Sequence, residues 1–276
     1  MLQENEQKKA VILAITAAII SVLLYHLAGK VISRFVSDDF LSAFLAEAVF
    51  AVLALVSVIQ LKQTDLFHSD RALLKKGWKS AGMFFLAIAF YGLIALGRLP
   101  EATVTSIQLI LFFGQVILIG FAEEVLYRGL IQRAFHQLFG EDSYAHVILA
   151  IVCTGAVFGI SHLVNMDRGN PALAAVMQAC ANIFIGMYIC SIFYRTGKNI
   201  WYVIILHSVY DCVALIADRR LSGVSLSDAL NPGGTSISVQ STLTIVLIWG
   251  GIFLLATLIV LRPKKIKPLL ESPAIK

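Results

Sequence analysis

The stretch Phe121-Ala-Glu-Glu-Val-Leu-Tyr-Arg-Gly129 closes a run that carries no charge from residue 102 to residue 122. A charged side chain in hydrocarbon costs roughly 2.5–3.5 kcal/mol on insertion scales, so carboxylates and a guanidinium at the end of such a run are rarely incidental. A run of this length is a membrane-spanning helix, because a helix needs about 20 mostly apolar residues to cross a bilayer. The whole chain has the same character. Hydrophobic residues make up 58% of it and charged residues 14%, with a mean hydropathy of +0.83, far more apolar than a soluble domain.

Eight segments approach or reach spanning length: 10–29, 40–61, 80–97, 104–125, 145–166, 171–194, 199–217 and 239–261. Backbone polar groups in lipid must be satisfied within the segment, and the short alternating strands of a barrel are missing. The expected architecture is an all-α, polytopic membrane bundle of about eight transmembrane helices, one membrane domain over 1–276. The first run has no A-x-A-like site behind it and reads as a span rather than a cleaved signal.

With the N-terminus inside, fifteen Lys and Arg residues fall in inside segments and six outside, with Arg128 left near the membrane. This asymmetry predicts both termini in the cytoplasm. The net charge of +5 is then a topology signal, and no nucleic-acid partner is expected. Cys153, Cys180, Cys190 and Cys212 all lie in apolar runs without CxxC spacing, which argues against disulfides and a thiolate metal site. The basic, amphipathic connection 62–79, with Trp78 near its end, is expected partly on the cytoplasmic membrane surface. The connection 218–239, with Asn231-Pro232-Gly233-Gly234, is expected to be turns.

Three constellations carry chemistry. Glu124 and Arg128 are four apart and share a helical face, so they can pair and reduce the penalty of burying either charge. Glu123, rotated by about 100° on the helix, faces away from that pair and is the candidate general base. In Phe158-Gly-Ile-Ser-His162 a histidine ends a charge-free run, preceded by Gly155-x-x-x-Gly159, a spacing that lets a neighbouring helix approach closely. In His207-Ser-Val-Tyr-Asp211 the two ionisable side chains meet at i and i+4, a carboxylate orienting an imidazole. Each has a bland alternative, as an interfacial carboxylate, a packed histidine or an interhelical polar pair. Jointly they are the parts for activating water and stabilising an oxyanion. His26 and Glu47 also fall in apolar runs, but each stands alone and reads as a packing or interfacial residue.

The order EExxxR, FxxxH, HxxxD across successive apolar segments resembles the CPBP family of intramembrane proteases, also called Abi or type II CAAX-processing endopeptidases. The matching motifs span about 104–216. The resemblance implies an endopeptidase whose site lies inside the bilayer and opens toward the cytoplasm. Glu123 would activate water, supported by Glu124 and Arg128; His162 would bind water or the oxyanion; His207, with Asp211, would stabilise the remaining charge. Eukaryotic CAAX proteases usually end the third motif in Asn, where this chain has Asp211, which can orient His207 instead. Family members are often labelled metalloproteases. The reading here leans to a metal-independent glutamate mechanism with no cofactor; zinc, if bound, would use Glu123, His162 and His207.

The expected partners are a peptide or protein substrate at the membrane and the lipid bilayer, and the expected location is a bacterial plasma membrane. Rival readings are a cation-coupled transporter using the same residues as a relay and a non-enzymatic scaffold or immunity factor. The span boundaries also predict a mismatch. Glu123 falls near the inside end of the fourth span and His162 nearer the outside end of the fifth, more than about 10 Å apart in depth.

Overall fold

The structure is a computed structural model that describes residues 2–68, 74–164, 172–218, 220–223 and 239–271. Among these the chain is helical and has no strand. Helices α1 (Leu2–Phe35), α2 (Asp39–Gln60), α3 (Leu74–Ser80), α4 (Gly82–Arg98) and α5 (Ser106–Glu124) come first. A π-helical segment (Val125–Gln132) then runs into α6 (Arg133–Phe139), followed by α7 (Tyr144–Ser161), α8 (Ala172–Arg195), α9 (Ile200–Ala217), α10 (Val239–Val260) and α11 (Pro263–Leu270). Seven described helices are long and apolar enough to cross a membrane. The pair Val246–Val260 and Pro263–Leu270, bent by 50°, makes an eighth if counted as one span. The bend falls where Arg262, held extended (φ −51, ψ 139) before Pro263, cannot continue a helix. The segments 69–73, within the basic connection, and 224–238, expected as turns, lie outside the described residues.

Sequence-encoded caps set where the helices begin. Thr105 and Gln108 form a reciprocal capping box at α5, and Gln108 Nε2 also donates to Asp38 Oδ2 at 2.8 Å. Asp38 accepts from the Leu41 amide, Ser143 from that of His146 and Asn199 from that of Tyr202, opening α2, α7 and α9. Leucine, isoleucine and phenylalanine side chains such as Ile19, Leu27, Leu86, Leu93, Leu247 and Leu258 stay exposed, the surface a lipid-embedded bundle presents.

The fourth span differs from the expected 104–125. Apolar helix continues without a break from Ser106 to Phe139, because the charges of Glu124 and Arg128 neutralise each other instead of ending it. Every residue of the π segment is buried, and the segment touches α1, α2, α7, α8 and α9. This removes the depth mismatch. Descending from Glu123 to Phe139 covers about 24 Å, and climbing from Tyr144 to His162 about 27 Å, so the two residues return to one level.

Glu47 does not stand alone. It is 3% exposed and accepts a hydrogen bond from the Tyr25 hydroxyl, whose ring lies 5.1 Å from His26 and 4.7 Å from Phe50. The sequence hid this pairing because its partners belong to different helices.

Candidate active site

The end of α5, the π segment and α9 meet at His207. Glu124, fully buried, accepts from His207 Nδ1 at 2.6 Å and stands 3.1 Å from Arg128 Nη1, both through Oε1. The Glu124–Arg128 contact is the one the i,i+4 spacing predicts. Arg128 also donates through Nη2 to the Gly186 carbonyl at 3.3 Å, and its Cζ lies 4.4 Å from the centre of the Phe158 ring. A buried guanidinium is costly unless paired and hydrogen-bonded; here a carboxylate, a carbonyl and a π face share it.

The far side of the imidazole faces two more carboxylates. Glu123 Oε2 is 3.7 Å and Asp211 Oδ2 3.5 Å from His207 Nε2. The short orienting contact expected from Asp211 is therefore made by Glu124, on the opposite ring nitrogen. Asp211, one turn along the same helix, shares the Nε2 side with Glu123.

His162 caps α7, and its Nδ1 lies 2.9 Å from the Phe158 carbonyl, the donor geometry that leaves Nε2 as its second polar atom. Phe158 joins it to the rest. The phenyl ring meets His162 at 4.8 Å and His207 at 6.4 Å, both edge-on. Beside it, Tyr127 donates to Ser161 Oγ at 2.7 Å, and Ser161 donates to the Phe158 carbonyl at 2.7 Å. Of the six residues singled out, Glu123, Glu124, Arg128, His207 and Asp211 thus form one contiguous cluster, and His162 joins through Phe158.

Glycines let the backbones come this close. A Cβ on Gly159 would meet the Ala179 carbonyl at 2.6 Å, and one on Gly155 the Ile183 carbonyl at 3.0 Å, so the small-residue spacing on α7 does seat α8. On α5, Gly120 leaves room for α9, where a Cβ would lie 3.1 Å from the Ile204 carbonyl. Outside the membrane helices, a 3₁₀ turn (Thr64–Phe67) closes the cluster from the side. Leu66 is buried against Gly129, and Phe67 lies 6.2 Å from Phe121 and 5.7 Å from Trp201. The turn is pinned by Arg133, whose guanidinium holds the Asp65 carboxyl below its usual value.

Two residues beyond Asp211 on α9, Val213 begins the wall of an apolar cavity of about 530 Å³ between α4 and α9, lined also by Gly92, Leu93, Leu96 and Ile216. Among the described residues no three His, Cys, Asp or Glu side chains gather so as to hold a metal ion. The set Glu123, His162 and His207 does not assemble as ligands, and His207 Nδ1 and Glu124 Oε1 are already engaged with each other.

Sequence reasoning missed the π segment, the Tyr127–Ser161 link and the Gly186 carbonyl. Only Tyr127 left a signal, at i+4 from Glu123; the others depend on which helices pack together.

Residues 105–213 match the Rce1-like family, described as type II CAAX prenyl endopeptidase. That match supports a relationship of this region to the CPBP family. No curated protein and no solved structure matches the chain. The match opens on Thr105, the N-cap of α5, ends on α9 and contains all six candidate residues. The family match and the apolar helices together support an integral-membrane endopeptidase of the CAAX-processing kind, acting on a peptide substrate.

Proposed function

We propose that Glu123 is the general base of a metal-independent intramembrane endopeptidase. The observation that carries this reading is the division of labour between adjacent glutamates. Glu124 is committed to Arg128 and to His207 Nδ1, while Glu123 faces the other imidazole nitrogen at 3.7 Å. That separation is long for a direct hydrogen bond and leaves the carboxylate and Nε2 able to share a water.

In the proposed reaction Glu123 takes a proton from the water as its oxygen attacks the scissile carbonyl carbon. The carbonyl π electrons move to oxygen, and the oxyanion is stabilised by His207, held by Glu124, together with His162. Collapse of the tetrahedral intermediate breaks the C–N bond, and Glu123 returns the proton to the leaving amine. Asp211, beside His207 Nε2, sets the charge there. The apolar cavity between α4 and α9 accommodates a hydrophobic part of the substrate. Both termini are cytoplasmic in this reading, as the basic residues suggest, and cleavage occurs nearer that leaflet.

The test compares membrane peptides, by mass spectrometry, from cells carrying wild type and Glu123→Gln. A product lost in the variant, with folding retained, supports the assignment and names the substrate. Unchanged products sink it, and substrate flux in proteoliposomes without cleavage would favour a transporter. Activity surviving exhaustive chelation supports the metal-independent step; loss restored by zinc overturns it.

A further inference from the structure

At the end of the bundle where α2, α8 and α10 finish, two short helices distant in sequence come together. Arg195, the last residue of α8 and 8% exposed, joins them. Its Nε donates to Ser80 Oγ on α3 at 3.4 Å, and its Nη1 donates to the Lys265 carbonyl on α11. The Tyr188 hydroxyl fixes the junction of α3 and α4, donating to the Ser80 carbonyl at 2.5 Å and accepting from the Met83 amide at 3.1 Å. Gly77 seats α3 against Thr196, where a Cβ would lie 3.1 Å from the threonine Cβ.

Each helix is anchored by one side and presents amines on the other. On α11, Ile266 and Leu269 are fully buried in a cluster with Val147, Ile151 and Tyr194, while Lys264 and Lys267 are exposed. On α3, Lys75 and Lys79 are exposed around Trp78, itself 62% exposed with its ring 4.8 Å from Phe85. Neither helix contains an acidic residue. Loose loops would satisfy a topology signal equally well. Amines fixed on anchored helices, with an exposed tryptophan at the same level, instead form a surface matched to a headgroup layer.

We propose that α3 and α11 together bind anionic phospholipid, with Lys75, Lys79, Lys264 and Lys267 meeting the headgroup phosphates and Trp78 seated at the interface. The occupant is a lipid rather than a soluble acidic partner because the surface adjoins the starts and ends of membrane helices and carries an aromatic interfacial residue. Occupancy braces α8, whose Gly186 and Cys190 carbonyls accept from Arg128 and Gln132.

The experiment places the full chain in nanodiscs of phosphatidylcholine, with and without phosphatidylglycerol, and follows thermal unfolding and, by native mass spectrometry, the lipid retained. Phosphatidylglycerol is expected to raise the unfolding midpoint and to remain bound. Lys75→Ala/Lys79→Ala and Lys264→Ala/Lys267→Ala are each expected to reduce its retention at least threefold, with Lys264→Arg/Lys267→Arg preserving it. Lys8→Ala/Lys9→Ala on α1, at the same end of the bundle, is expected to leave retention unchanged. An equal loss in the α1 variant, identical behaviour in the two discs, or the same rise from inorganic phosphate alone would each overturn the proposal.

Discussion

Glu124 and His207, 83 positions apart in sequence, share a buried 2.6 Å hydrogen bond, and the same carboxylate oxygen faces Arg128. One acidic group thus contacts both the cation and the imidazole of the cluster, while in the proposed mechanism its neighbour Glu123 carries the proton transfer.

Glu123→Gln and Glu124→Gln should therefore fail in different ways. General-base catalysis is worth about 10²–10⁴ in rate, so Glu123→Gln is expected to lose at least a hundredfold in turnover with its unfolding midpoint nearly unchanged. Glu124→Gln leaves the Arg128 guanidinium buried without its counter-charge, a change that costs about 3–5 kcal/mol. Thermal unfolding alongside peptide cleavage separates them; equal stability losses would refute the division.

Phe158→Leu tests the ring that Arg128, His162 and His207 share. Leucine keeps an apolar side chain but removes the face over the guanidinium and both histidine edges. The outcome expected is a stability loss of about 1–3 kcal/mol and a fall in turnover exceeding any change in substrate affinity. A variant with wild-type kinetics would remove Phe158 from the site.

Gly159→Ala adds a Cβ 2.6 Å from the Ala179 carbonyl, and backbone atoms on α8 cannot yield as a flexible side chain can. Overpacking of this kind costs about 1–3 kcal/mol. Forcing α7 away from α8 also moves His162, so cleavage should fall together with the unfolding midpoint. Gly92→Ala on α4, where no atom lies within 4 Å, is the control that should leave stability near wild type.

Asp65 gives a pH dependence with a definite sign. Arg133 holds its carboxyl below the ordinary value of 3.8, so the pair contributes stability above that value and loses it as pH falls through the lower folded-state value. The side chain is 66% exposed, so the effect is small and screened by salt. Unfolding midpoints of wild type and Asp65→Asn should differ at neutral pH and converge on acidification. A difference that grows toward low pH would contradict the assignment.

The residue pattern alone determined the membrane class, most of the helices and the pair Glu124–Arg128, because hydropathy over twenty residues and i,i+4 spacing are local properties of one helix. The glycine spacing on α7 was legible for the same reason. What the chain's order could not reveal was where the fourth span ends, since its charges read as a boundary until their mutual neutralisation inside the bundle is seen. Nor could it show that Glu124, rather than Asp211, grips His207, that Phe158 connects the two histidines, or that Arg195 gathers α3 and α11. Those relationships are contacts between helices. They depend on which faces pack and how closely backbones approach at Gly120, Gly155 and Gly159, geometry that exists only once the bundle has formed.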